Sequence, residues 1–308
     1  MGQLVVLERD ARSLVTPYAR AVLVRADALG RVPTPLEEIT EALAIAKPEE
    51  LFPADAEPLG ILKRLTRLRG RVLGAFAVRE RVIYLDHAQP SVRVRFAHGH
   101  ELGHSAIPWH RAAYYGDDRN TLAPDTRDLL EAEASSFASD LLFQLELFGE
   151  QAAQSRLGLA VPLELADIYC ASYHASIRRY VQENRAACGL VIFGRFPTHV
   201  DGGRGLPRLV ALESSAFLER FGPISVCVPK VLSVNQSEMG SDCSRALKRT
   251  SPDPVIVGEQ PFETVRGSTP MRYELFFNGY VLFCLVYPKR RIILGKPSKA
   301  LWTPDEPA

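Results

Sequence analysis

The order of apolar and polar positions divides the chain into a mostly helical first part and a strand-rich last part. The first third reads as helices followed by a short sheet. Thr16 to Leu29 has helical character and is stopped by Gly30 and the prolines at 33 and 35. Thr34 with Glu37 three residues on has the form of a capping box, and the helix it opens runs to about Ala46. A Pro-rich connector follows around Pro48, Pro53 and Pro58. Arg71 to Val78 and Arg81 to Leu85 are predicted strands, with Arg79-Glu80 as a two-residue turn. A helix is expected from near Ser91, closed by Pro108. Gly116-Asp117-Asp118 begins a polar loop ending near Pro124, and Thr126 to Phe148 reads as a second long helix. Leu163 to Asn184 fits two short helices around Cys170-Ala171-Ser172, a helix-turn-helix-like shape.

From Cys188 the period changes. GLVIFGRF, PRLVALE, ISVCVPK, DPVIVG and the runs either side of Asn278-Gly279 are strand-like, separated by Pro, Gly and Asp. Asn278-Gly279 between two apolar runs signals a hairpin. The pattern places a boundary near residue 186 and predicts an α+β fold.

Composition narrows the picture modestly. The 308 residues are 46% hydrophobic, enough for a sizeable core, and their number suggests two domains. With 37 basic and 36 acidic residues, a net charge of +1 argues against a wholly basic nucleic-acid binder. The apolar run Leu4 to Leu7 meets charge at once, and the stretch Leu275 to Tyr287 is broken by Asn278-Gly279. Neither is long enough to cross a bilayer, so a cytoplasmic protein without membrane contact is expected. The five cysteines are odd in number and form no C-x-x-C pair, which points to free thiols and away from a Cys-rich metal site.

The candidate chemistry is concentrated in His100-Glu101-Leu102-Gly103-His104. Residues four apart share a helix face, so both imidazoles can bind one zinc ion. Glu101 lies about 100° round the helix, suited to act on a water but not as a ligand in line with the histidines. A catalytic zinc takes three protein ligands and one open position. The third ligand is sought in LLEAEASSFASDLL downstream. There Glu131 shares a stripe with Ala134, Ser135, Ala138, Leu141 and Leu142, which suits close packing against another helix. Glu133 shares the more polar stripe of Ser136, Phe137 and Asp140. A carboxylate on a packed apolar stripe needs a partner or a metal, which favours Glu131 as the ligand over Glu133.

RFAHGHELGH followed by EAEASSFASDLL resembles the ImmA/IrrE family of metallopeptidases. Arg95, Phe96, His100, Glu101, His104, Glu131, Ala134, Phe137, Ala138, Leu141 and Leu142 fall on its pattern. Ser135 stands where Asn is usual, and Phe143-Gln144 where Met-Pro often occurs; both departures are expected to affect packing, not ligands. The resemblance covers roughly residues 15 to 185 and extends to the IrrE-like branch, including two-domain CapP-type peptidases. It implies a zincin-like domain over 1–150, a helix-turn-helix-like segment over 151–185 and a GAF- or PAS-like sensor over 186–308. It also implies a zinc endopeptidase that cleaves a helix-turn-helix transcriptional repressor and so switches on a stress, DNA-damage or antiphage-defence operon. A nucleic acid or small molecule would act on the sensor.

Other residues carry weaker signals. His98 points about 200° from His100 and is expected to pack the helix or support the site from behind. Trp109, His110, Tyr114 and Tyr115 could line the cleft, one of them stabilising an oxyanion, or could pack under a loop. Lys63 to Arg71 is basic with interleaved leucines and reads first as a solvated helix face. Cys243, in a Ser/Gly-rich stretch, could in principle cap the zinc. The strand around Ile83 could hold a substrate by strand addition. The rival reading is a ligand-sensing DNA-binding regulator on a vestigial peptidase fold.

The expected outcome is one zinc ion per chain in the purified protein, lost in Glu131→Ala. Metal analysis checks it. Full zinc in Glu131→Ala together with loss in Glu133→Ala would move the ligand to Glu133.

Overall fold

The computed structural model describes residues 2–52, 73–116, 124–200, 203–235, 237–248 and 255–289. The basic segment from Lys63 to Arg71 lies outside them, as do the side chains of Tyr114 and Tyr115. The fold is mixed α+β, with one small and one large sheet. Among the described residues no helix is long and apolar enough to cross a membrane.

Helix α1 (Gly2–Arg25) continues well ahead of Thr16, with Pro17 inside it. Helix α2 (Leu36–Ala42) is shorter than predicted and takes no side-chain cap from Thr34. The Thr34 hydroxyl instead donates to the Leu141 carbonyl at 2.9 Å and accepts from Gln144 Nε2 at 2.8 Å. Thr34 thus closes the far end of another helix, and the local S/T-x-x-E pattern is overridden by that tertiary partner.

The connector read around Pro48 begins as strand β1 (Ala46–Glu50). It pairs parallel to β3 (Val82–Leu85), with a register shift between Ala46 and Glu49 that contains the proline. Proline is tolerated there because an edge strand or bulge does not need its missing N–H. Strand β2 (Gly74–Ala77) pairs antiparallel to β3 on the other side, so the order is β1-β3-β2. The β2–β3 loop is four residues, 78–81, with Arg81 at φ 56°, instead of a two-residue turn.

Helix α3 (Ser91–Ala106) carries the H-E-L-G-H segment and is buried almost all round. Ile107 is extended, and Pro108 opens a further helix, α4 (Pro108–Gly116), where none was expected. Proline suits a first helical turn, whose N–H groups have no intrahelical partner. Helix α5 (Pro124–Leu142) packs against α1 and α3.

The helix predicted to reach Phe148 ends at Leu142. Leu145 N–H bonds to the Asp140 carbonyl and Gln144 N–H to that of Leu141, with Gln144 and Leu145 at φ 54° and 58°. That is a Schellman closure built without glycine, held by the Thr34–Gln144 contact. Helix α6 (Leu147–Ala153) follows, then α7 (Ala160–Ile168) and α8 (Tyr173–Glu183). The turn between α7 and α8 has Cys170 at φ 49° and Ser172 as N-cap, accepting from Ala175 N–H at 3.1 Å.

The large sheet is antiparallel, in the order β5-β6-β4-β10-β9-β8 with β7 also on β6. Its strands are β4 (Gly189–Gly194), β5 (Thr198–Val200), β6 (Gly203–Glu213), β7 (Val231–Ser233), β8 (Ile256–Thr264), β9 (Gly267–Phe277) and β10 (Val281–Pro288). The β9–β10 hairpin turns on Gly279-Tyr280, with Gly279 at φ 89° and Asn278 Oδ1 accepting from Tyr280 and Val281 N–H. ISVCVPK is not a strand: Ile224–Cys227 forms the short helix α10, between α9 (Ser215–Phe221) and α11 (Glu238–Leu247). These three helices cover one sheet face through Phe217, Ile224 and Cys243. The opposite face shares a core with α6, α7 and α8, in which Phe148, Tyr169 and Ile177 meet Leu190, Ile192 and Phe283.

A buried ionic cluster ties α8 to α5 and α1. Asp140, fully buried, accepts from Arg12 Nε at 2.8 Å, Arg179 Nη1 at 2.9 Å and the Thr16 hydroxyl at 2.6 Å. Arg12 and Arg179 also share Glu183.

His98 has a packing role. Its Nε2 lies 2.8 Å from Thr40 Oγ1, joining α3 to α2 on the side away from His100. Burial pulls its pKa from 6.5 down to about 4, so the folded chain holds it neutral. The unfolded chain therefore binds the extra proton between those two values, and stability falls as pH drops through that window. The full effect is roughly 3 kcal/mol at the conversion of 1.36 kcal/mol per pKa unit. Denaturation of the metal-free protein at pH 7 and pH 5 should show the loss, and His98→Gln should flatten it. Equal slopes in the two proteins would take His98 out of the account.

Candidate metal centre

Three donors from two helices converge. His100 and His104 project from α3 and Glu131 from α5. His100 Nε2 is 3.1 Å from His104 Nε2 and 3.1 Å from Glu131 Oε2, and His104 Nε2 is 3.7 Å from Glu131 Oε1. A tetrahedral zinc with bonds of about 2.0–2.1 Å separates its ligand atoms by about 3.3 Å. The two spacings to Glu131 run to different carboxylate oxygens, and with one ligand atom from each residue the three lie within 4.8 Å of one another, a donor set of the right chemistry gathered to nearly the size of such an ion. His104 is fully buried, while the Glu131 side chain is 44% exposed, which leaves the cluster open on the Glu131 side.

Small residues create this convergence. A Cβ on Gly103 would lie 3.1 Å from Phe137 Cδ1 and 3.3 Å from the Ala134 backbone; one on Gly99 would lie 3.4 Å from Ala138 Cβ. The α3 and α5 backbones thus cross close enough for a glutamate to reach two histidines on the facing helix.

The burial argument for the third ligand is reversed. Glu131 is the partly exposed carboxylate, and Glu133 is the buried one, at 2%. Glu133 Oε2 accepts from Trp109 Nε1 at 2.6 Å and meets His110 Nε2 at 2.7 Å. Helix α4 supplies both partners. Its position against α5 leaves Glu133 satisfied without a metal and Glu131 beside the histidines.

Trp109 and His110 accordingly do not line the open side. The Trp109 ring packs edge-on against Tyr18, with centroids 5.3 Å apart, and His110 is fully buried behind His104, Nδ1 to Nδ1 at 2.9 Å. Burial pushes the His110 imidazole below its usual pKa, against an upward pull from Glu133. Ser135 touches more than packing: its Oγ lies 3.3 Å from His100 Nδ1.

Glu101 is buried beneath β2. A Cβ on Gly74 would meet Glu101 Cγ at 3.1 Å and Oε1 at 3.3 Å, so the missing side chain at Gly74 makes room for this carboxylate. Cys243 is remote in role: it lies on α11 in the large-sheet core, and burial raises its thiol to about 12, which keeps it protonated. It cannot serve as a thiolate cap.

No protein-family model and no curated protein sequence matches the chain. Among solved structures, one described as a Mycobacterium tuberculosis transcriptional regulator is similar to it at 13% identity and a TM-score of 0.46. The match covers 91% of this chain and 86% of the other. At that level the likeness carries no argument about function.

If the crossing of α3 and α5 sets the ligand geometry, Gly103→Ala should weaken zinc binding with all three ligands intact. Overpacking of this kind costs about 1–3 kcal/mol, or on the order of tenfold or more in affinity. Chelator competition measures it; wild-type affinity in the variant would show that the crossing has slack.

Proposed function

We propose that the chain is a zinc-dependent endopeptidase, with His100, His104 and Glu131 as metal ligands and Glu101 as catalytic base. The observation that carries this reading is the convergence of the three donors on an accessible position, with a buried glutamate next in sequence to the first histidine. The motif resemblance is its second support.

A bound zinc ion would polarise the scissile carbonyl and lower the pKa of a water towards neutrality. Glu101 takes the proton from the attacking water and delivers it to the leaving amine. The substrate strand is better placed on β2 than on β3. Ile83 is in the central strand, with both edges paired, whereas the outer edge of β2 carries no strand among the described residues. Gly74 also brings the face of β2 against Glu101.

In this reading residues 1–150 form a zincin-like unit, 151–185 a helical segment and 186–308 a GAF-like sensor responding to a nucleic acid or small molecule. The substrate is a helix-turn-helix transcriptional repressor whose loss turns on a stress or defence operon. The rival reading, a DNA-binding regulator, needs a free recognition helix. Helix α8 buries Ser176, Ile177, Arg179, Tyr180 and Val181, and Gln182 is its one exposed position. Its outward stripe of His174, Arg178 and Gln182 is only partly exposed, which favours a packing role for this helix.

Glu101→Gln should keep the fold and the zinc but abolish cleavage, because the amide is nearly isosteric yet cannot accept the proton. The assay incubates the full-length protein and zinc with a repressor encoded beside its gene, and reads fragments by mass spectrometry. Cleavage by Glu101→Gln at the wild-type rate would remove Glu101 from the mechanism. No cleavage by the wild type of that repressor would sink the substrate assignment.

A further inference from the structure

We infer that His110 and Glu133 are positioning residues that set the proton arrangement of His104 and hold its Nε2 ready for the metal. The inference rests on the metal reading and goes beyond it. Neither residue touches the proposed ion.

The argument starts from the carboxylate. Glu133 is buried and takes two N–H donors on one oxygen, from Trp109 Nε1 at 2.6 Å and His110 Nε2 at 2.7 Å. An ionised carboxylate only accepts, so His110 carries its proton on Nε2. A neutral His110 then has a lone pair on Nδ1, which faces His104 Nδ1 at 2.9 Å. His104 must therefore donate from Nδ1, and its own Nε2 is left as a lone pair. That Nε2 is the atom lying 3.1 Å from His100 Nε2 in the donor cluster. With Glu133 ionised and His110 neutral each step follows from the one before it, and the chain runs through groups almost wholly closed to solvent, since His104, His110 and Glu133 are all buried. With no competing water, the direction of these hydrogen bonds is set by the protein.

The arrangement does two things for a metal. It excludes the His104 tautomer with hydrogen on Nε2, which cannot coordinate. It also strengthens Nε2 as a donor, because a carboxylate at the end of the chain draws the Nδ1 proton outward. His100 has a weaker version of the same device, its Nδ1 lying 3.3 Å from Ser135 Oγ. The two histidines are therefore unequally supported. His104, deep and tied to a charged group, is the fixed ligand; His100, partly exposed and tied to a hydroxyl, is the adjustable one.

The experiment uses full-length protein with Glu133→Gln, His110→Gln and the double variant. Zinc affinity is measured by chelator competition, the visible spectrum of the cobalt-substituted protein reports ligand geometry, and melting of the metal-free protein reports the fold. Glu133→Gln is nearly isosteric and its amide oxygen can still accept from Trp109 and His110, so it removes the charge at the end of the chain. The expected result is a 10–100-fold loss of zinc affinity in each single variant, the range seen when such supporting groups are removed. The cobalt spectrum should change and metal-free melting should stay close to wild type. The double variant should lose little more than either single one, because both act through one chain. Wild-type affinity and spectrum in both single variants would overturn the inference while leaving the metal site standing. Affinity losses that track equal losses in metal-free melting, with an unchanged cobalt spectrum, would also overturn it, as a purely structural role. A wild-type protein that binds no zinc or cobalt would overturn the metal reading itself, and this inference with it.

Discussion

Everything around the candidate metal centre depends on how closely α3 and α5 cross. Gly99 and Gly103 on one helix face Ala134 and Ala138 on the other, and the contacts leave no space for a larger side chain at Gly103 without moving backbone. This is a steric constraint before it is a chemical one. Helices separated by ordinary core side chains lie about 8–10 Å apart, and a glutamate would then have to extend further to meet an imidazole on the facing helix. Here the short distance lets Glu131 stay one turn ahead of the packed stripe, partly exposed, and still reach both histidines. The arrangement separates two needs: the small residues fix the distance, and the ligands need only the right rotamers.

Local periodicity made part of this legible. The i, i+4 histidines and the small-residue stripe of α5 required only helical geometry, and both are seen in the structure. The hairpin at Asn278-Gly279 was equally readable, since a glycine with φ near 90° is what such a turn demands. What could not be read was decided by partners distant in sequence. Thr34 looks like a cap for its own helix but bonds to the end of α5, 107 residues away. The stop at Leu142 carries no glycine; Gln144 takes the left-handed conformation because its side chain is held by Thr34 and Gly30. The helical stripe marks Glu131 as the packed glutamate, yet the structure buries Glu133, because α4 covers it with Trp109 and His110. Pro108 could have signalled it: a proline just after one helix can be the first residue of the next.

The large sheet also shows how strand-like composition misleads. Ile224 to Cys227 has the β-branched character of a strand but forms a short helix, since its apolar side chains cover the sheet instead of joining it. Both faces of the sheet are roofed, by α9 to α11 on one side and by α6 to α8 on the other. The second roof makes α8 chiefly a structural helix, with the His174, Arg178 and Gln182 stripe only partly exposed.

The Asp140 cluster gives the molecule a particular stiffness. Asp140 lies on α5, nine residues beyond the glutamate that faces the histidines, and Arg179 lies on the helix bedded on the large sheet. A buried pair of this kind can be sheared only by stranding a charge, at a cost of about 3–5 kcal/mol. Asp140 therefore fixes α8 against α5, and the same helix carries Glu131 to the histidines, so the large sheet and the donor cluster are joined through one helix.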